Sequence, residues 1–515
     1  MSKLSPRSAA PATGSAARPR WIHRRTALLL AFAFSVMADP VSSVAYAIEA
    51  ALRALHGDLA LLLPTMALVV GVVALVVASY HQLVARFPGG GGSAAAAGSA
   101  FGEAFAFLPM GALIVDFVLT ISISVSAGAS AVISYAPSLA PMRLPLALIL
   151  VVAVAGLMWF GHLGRAVFAA LTIGFIVVAI GVLVLTAGAH PEAQPVVVAP
   201  HSPPLAVVLA FPVAMALSTG VEAPSSAIAQ LAQLDADERR RFGRWALWLT
   251  LGIVGVLTLA LTATAVRLGV GLPPAESTQI SEIARRSGSD GLFTAFQATT
   301  ALLLLSAASS SFQAGPGLLK ALARRRLADG GTVGVLPSPL GRANRHHVPI
   351  VGVGVFLVLA AAVVTAAGAR DQELVLFYAV SVFVSFLVGL VAMATFARRE
   401  GRRGWLVLNV AAAVVVAFTL VVNMTRPAAI GSLAATILVA GGLYIAWVRS
   451  GRPRGIAHAV AAAEAVVGEE LDGEVRDGEE LDGAELDGAV LDGVHDEIEA
   501  AGGARTDPGT STPGR

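Results

Sequence analysis

Cysteine is absent from the 515-residue chain, which excludes disulfides, thiolate nucleophiles and cysteine-ligated metals. Lysine is almost absent. Lys3 precedes Leu4 and Lys320 precedes Ala321, so neither completes the glycine-rich phosphate loop that ends in Lys-Ser or Lys-Thr. Nucleotide hydrolysis through such a loop is therefore ruled out as an energy source. No histidine is followed by glutamate, so the zinc-protease helix motif is missing, and no Gly-x-Ser-x-Gly elbow occurs. Charge is scarce too. Charged residues make up 13% of the chain, about half the share in soluble domains. The formal net charge of +2 argues against a nucleic-acid partner. No enzyme activity and no cofactor are expected.

What fills the chain instead is apolar. Hydrophobic residues reach 56%, and the mean hydropathy is +0.77. Apolar runs of about 20 residues recur, each long enough to cross a hydrocarbon core of roughly 30 Å. We place helices at 26–55, 60–85, 103–136, 144–161, 165–188, 203–231, 243–267, 289–322, 348–368, 373–397, 404–423 and 429–448. The expected fold is all-α with about twelve transmembrane helices. The arginines before the first run resemble a secretory leader, but that run is too long and carries Asp39 in its middle, so it reads as a first membrane helix. An even helix count puts both termini on one side. Lys and Arg up to Arg454 number 25 on that side and seven on the other, so both termini are expected in the cytoplasm of a multi-pass plasma-membrane protein. Residues 1–25 form an expected cytoplasmic tail and 26–450 the membrane domain. Residues 451–515 are expected to be a disordered acidic tail, because 464–499 hold 15 of the 33 acids around repeated Leu-Asp-Gly units.

Two apolar segments are interrupted in matching places. The first breaks at Ala38-Asp39-Pro40, and the sixth at Ser218-Thr219-Gly220 ahead of Glu222 and Pro224. Residues 39 and 220 lie 181 apart, with five helices between the two starts. An odd separation gives the halves opposite topology, the sign of a five-plus-five inverted repeat with two extra helices and a site at the broken helices 1 and 6. Asp39, Asp116 and Glu222 lie deep in apolar segments with no Lys or Arg at comparable depth, and acids in such positions are functional candidates. An unpaired acid is relieved by a proton or a cation, so the trio points to a cation or proton path. Asp116, Thr120 and Ser124 are spaced i, i+4, i+8 and share a helix face. Tyr46 lies about two turns beyond Asp39. Carbonyl and hydroxyl oxygens of this kind can replace the water shell of potassium.

At these residues the chain resembles the amino acid–polyamine–organocation superfamily, and within it the KimA-type potassium importers. The resemblance rests on Asp39-Pro40-Val41-Ser42-Ser43-Val44-Ala45-Tyr46 with Glu49, Phe87-Pro88-Gly89-Gly90-Gly91, Asp116-Phe117-Val118-Leu119-Thr120, Thr219-Gly220-Val221-Glu222-Ala223, Ser309-Ser310-Ser311-Phe312 and Phe377-Tyr378-Ala379-Val380. It implies a broken-helix fold and potassium import with protons. The implied cation site falls on Asp39, Tyr46, Thr120, Ser124, Thr219, Glu222 and Tyr378. In this reading Asp39 is the potassium ligand, and Glu222 and Asp116 couple the proton. Three departures stand out. Phe117 replaces the family's tyrosine, Ser93-Ala94-Ala95-Ala96-Ala97 replaces a tyrosine-bearing stretch, and the acidic tail replaces a domain that senses cyclic di-AMP. Two other readings remain open: a proton-coupled amino-acid or amine permease of the same fold, and a membrane sensor whose output is the tail. The expected partners are a small cation or amino-acid substrate, protons, the lipid bilayer and a second copy in a homodimer.

Overall fold

A computed structural model describes residues 29–160, 164–191, 200–231, 234–326, 332–346 and 348–456. The expected N-terminal tail, and the acidic tail beyond Ile456, lie outside the described residues. So does the side chain of Tyr378.

Among the described residues, eleven helices are long and apolar enough to span a membrane. In chain order the helices are α1 (Leu29–Ala54), α2 (Leu59–Arg86), α3 (Gly92–Phe101), α4 (Glu103–Tyr135), α5 (Arg143–Trp159), α6 (Arg165–Thr186), α7 (Pro203–Ala214), α8 (Ala223–Ala227), α9 (Ala236–Leu268), α10 (Gln279–Arg285), α11 (Asp290–Leu322), α12 (Ile350–Ala366), α13 (Asp371–Arg399), α14 (Arg403–Asn423) and α15 (Pro427–Arg449). Helices α7 and α8 are the two parts of the sixth span, Pro203–Ala227. The twelfth apolar helix is α12, whose 17 residues sit where the sequence predicts helix 348–368. A two-residue antiparallel pair, Arg325–Arg326 with Thr332–Val333, is the β structure among the described residues.

Local chemistry sets several helix ends. Asp58 caps α2 by accepting from the Ala60 amide, and Asp235 caps α9 by accepting from the Glu238 amide. Gly269 closes α9 in the left-handed conformation. Helix α4 has 33 residues, about 50 Å at 1.5 Å per residue, so it must cross a 30 Å core obliquely or project from it.

The packing displays the repeat. Helix α1 packs against α7, α2 against α9, α4 against α11 and α5 against α12, each element of one half meeting its counterpart in the other. The contact of α4 with α13 is mirrored by that of α11 with α6. Two short helices absent from the sequence reading occupy matched places as well. Helix α3 joins the second and third spans, and α10 joins the seventh and eighth.

The two breaks differ. In the sixth span, α7 tightens into a 3₁₀ turn over Met215–Ser218, Thr219 is extended, Gly220 takes φ +67°, and helix resumes at Ala223. The interruption of α1 is narrower than expected, a single turn residue at Met37. The Met37 amide still bonds to the Ala33 carbonyl at 3.1 Å, and the Val41 amide to that of Met37 at 2.9 Å. Pro40 removes one amide from this ladder without unwinding it.

Outside the breaks, small residues set the spacing. A methyl on Gly111 of α4 would lie 2.7–2.8 Å from Ala440 of α15, including its backbone. Gly111→Ala is expected to cost about 1–3 kcal/mol through overpacking. Thermal unfolding of the purified protein in detergent should show it as a lowered Tm, with Gly441→Ala, where nothing lies within 4 Å, unchanged.

Candidate functional site

The centre of the molecule is the contact between the two breaks. Gly220 is held at φ +67°, a conformation that glycine adopts without penalty. A methyl there would lie 2.6 Å from Asp39 Oδ2, 2.8 Å from its Cγ and 2.9 Å from Pro40 Cδ. The missing side chain of Gly220 is thus the space that the Asp39 carboxylate occupies. Ser43 ties the breaks together, donating to the Pro40 carbonyl at 2.6 Å and reaching the Leu217 carbonyl at 3.2 Å. The Ser42 hydroxyl donates to the Asp39 carbonyl at 2.7 Å.

Several oxygens here lack donors. Asp39 Oδ1 and the Tyr46 hydroxyl are buried with no hydrogen-bond partner among the described residues, as is Ser124 Oγ on α4. The Tyr46 hydroxyl lies beside Thr219 without hydrogen-bond geometry, while Thr219 donates to the Ala216 carbonyl at 2.6 Å. Neither Asp39 nor Glu222 forms a salt bridge with a basic side chain among the described residues. Buried acceptors left without donors are what a bound cation or ordered water would complete.

Glu222 lies two residues beyond Gly220 in a different environment. Tyr80 of α2 donates to its Oε2 at 2.9 Å, and Ser385 of α13 reaches the same oxygen at 3.1 Å. Ser93 of α3 meets both, at 2.8 Å from the Tyr80 hydroxyl and 3.1 Å from Ser385 Oγ. All four side chains are buried. The glycine run explains how Ser93 arrives there. Gly90, Gly91 and Gly92 take φ +88°, +81° and +47°, turning the chain from α2 into α3. A methyl on Gly92 would sit 3.0 Å from Ser226 Oγ, so the turn presses on the second part of the sixth span.

The structure therefore brings Asp39, Tyr46, Thr219 and Glu222 together. Asp116, Thr120 and Ser124 lie on the buried face of α4, with Asp116 within electrostatic reach of Tyr46. Tyr80, Ser93 and Ser385 were not singled out from the sequence as site residues. Their signal was weak: Tyr80 is one of five tyrosines and interrupts an apolar run, whereas single serines in membrane helices more often bond their own backbone.

A second polar cluster closes the far end of α1. Glu49 pairs with Arg53 at 2.8 Å and accepts the Gln279 amide, at the first turn of α10, at 3.0 Å. Gln372 of α13 donates to the Tyr46 carbonyl at 3.4 Å and to Asp371 at 2.9 Å. Each short helix thus holds the broken helix of the opposite half.

Comparisons with known proteins bear on the family. Two mutants of the Eremococcus coleocola manganese transporter align over 87% of this chain and 96% of theirs, at 16% and 15% identity. Their TM-scores are 0.45, too loose a likeness to bear on the site. The potassium transporter KimA of Bacillus subtilis (strain 168) is 29% identical over 389 residues, which is 72% of this chain. The match spans 61% of KimA's own length. The model of the family described as "Amino acid permease" matches residues 28–447, nearly the whole membrane region, and so the chain belongs to the amino acid permease family, whose members are transporters and not enzymes.

Proposed function

We propose that this transporter imports potassium, or a similar small cation, together with protons. The observation that carries the reading is the Asp39 carboxylate, buried against the break at Gly220 with, among the described residues, no basic partner and one oxygen lacking any donor. In this reading Asp39, Tyr46, Thr120, Ser124, Thr219 and Tyr378 supply oxygens to the cation. Glu222, aided by Asp116, takes the proton. The similarity to a potassium transporter supports it. The excess of Lys and Arg on one side supports cytoplasmic termini in the plasma membrane.

The rival is an amino-acid or amine permease, which the family description favours. A substrate carboxylate would need helix-end amides at a break. The space at Gly220 is instead filled by the carboxylate of Asp39, which would repel it. A diamine avoids that objection and is the closest competitor. Uptake into proteoliposomes under an inward proton gradient separates the readings. Rubidium accumulation, without uptake of a panel of amino acids and diamines, is the expected result. Uptake of an amino acid or diamine without rubidium would overturn the potassium reading.

A further inference from the structure

Outside the central site, a cavity of about 220 Å³ opens at the arginine-rich end of the bundle. It lies where α2, α9, α13 and α14 meet. Three guanidiniums, from Arg86, Arg244 and Arg402, line it with one carboxylate, from Glu400, a formal excess of two positive charges with His81 neutral.

The donors and acceptors around it do not balance. Glu400 is already engaged: its Oε1 is paired with Arg86, and its Oε2 lies 3.9 Å from Arg402. Gln82, also on the wall, is closed in a reciprocal pair with Asn409 at 3.3 and 3.2 Å. The Trp248 indole donates to His81 Nδ1 at 3.2 Å, which leaves the ring proton on Nε2 as a further donor. Arg244 gives its Nε to the His81 carbonyl at 3.3 Å, and among the described residues no acceptor meets its two terminal nitrogens. Arg402 has no acceptor besides Glu400 among the described residues. The walls are aromatic. Arg86 stacks over Phe396 at 3.9 Å and Arg402 lies 5.8 Å from Trp405. The acceptors of this cavity are used up, its donors are in surplus, and its charge is positive.

We propose that this cavity is a binding site for a phosphate oxyanion, held by Arg244 and Arg402. Guanidinium forks match phosphate oxygens in pairs, and basic pockets between membrane helices take lipid head groups. The volume suits a phosphate or a phosphodiester head group. Occupation joins Arg244 of α9 to Arg402 at the start of α14, beside α2 and α13, the helices that carry Tyr80 and Ser385. The ligand therefore stabilises the helix arrangement that holds Glu222.

The test is independent of substrate and of transport. Purified full-length protein in neutral detergent is unfolded thermally with inorganic phosphate, at ionic strength held constant by chloride. The same measurement is made in mixed micelles of phosphatidylglycerol or of phosphatidylcholine. The wild type and the control Arg398→Gln, an exposed arginine off the cavity, should gain several degrees of Tm, saturably. The gain should be at least threefold smaller in Arg244→Gln/Arg402→Gln. Should that pair fail to fold, Arg402→Glu alone, at a side chain 57% exposed, must still abolish the gain. A gain from phosphatidylglycerol only assigns the site to lipid, a gain from inorganic phosphate only assigns it to a soluble anion, and a gain from both supports the shared chemistry. Equal shifts with chloride, with phosphatidylcholine or in the arginine variants overturn the proposal.

Discussion

Gly220→Ala should abolish transport and lower the stability of the protein by about 2–5 kcal/mol. Two costs combine. A left-handed backbone costs an L-residue roughly 1–2 kcal/mol, and forcing a methyl into filled space costs about 1–3 kcal/mol. The filled space belongs to Asp39 and Pro40, so the methyl displaces the proposed cation ligand as well as straining the break. Thermal unfolding and uptake, measured side by side, check both parts. Asp39→Ala in the same background removes two of the three close contacts, leaving Pro40 Cδ. The double variant should regain part of the lost Tm and none of the uptake. Gly89→Ala, where nothing lies within 4 Å, should leave Tm at its parental value. A Gly220→Ala protein with parental Tm and full uptake would show that contact between the breaks is dispensable.

The second large effect separates the two acids. Asp39→Asn should reduce rubidium uptake to background, because losing one partner of a buried charge pair costs roughly 2–5 kcal/mol. At 1.4 kcal/mol per decade that is about 30-fold or more in affinity. Glu222→Gln should behave differently. The amide keeps an oxygen for Tyr80 and Ser385 but exchanges no proton, so proton-driven accumulation should vanish while rubidium exchange survives. The physical basis is repulsion between two nearby buried acids. With potassium on Asp39 and a proton on Glu222 both charges are neutralised before the helices rock, whereas a half-loaded site stays charged and resists enclosure. Rubidium flux into proteoliposomes, with and without an imposed proton gradient, is the measurement. Continued accumulation by Glu222→Gln under the gradient would remove Glu222 from the coupling scheme.

The helices were legible because a bilayer demands long apolar runs, and eleven of the twelve segments read from the sequence are long enough to span it. The repeat was legible because breaks need proline or glycine, which stand out in apolar surroundings. Asp39 and Glu222 could be found for the related reason that charge is conspicuous there. What the pattern hid was scale and partnership. A proline beside a carboxylate gives a one-residue interruption, as at Met37, or a full break with no difference in local sequence. Helix α3 was missed because Gly-Ser-Ala runs carry no hydrophobic period, and its Ser93 matters only through Tyr80 and Ser385, residues distant in sequence.

The two short helices hold the bundle by different chemistry. Helix α3 touches the Glu222 cluster through neutral hydroxyls, whereas α10 grips α1 through its Gln279 amide on Glu49, a carboxylate that Arg53 of the same helix holds in place. Mobile ions reach Arg53, whose side chain is 44% exposed, and weaken its hold on Glu49, while contacts between buried hydroxyls stay nearly unchanged. Salt added to the compartment bathing α10 should therefore loosen one latch alone. Raising it on the opposite face should do nothing comparable, and the protein would sense the two solutions it separates unequally, even at equal concentrations of its substrate.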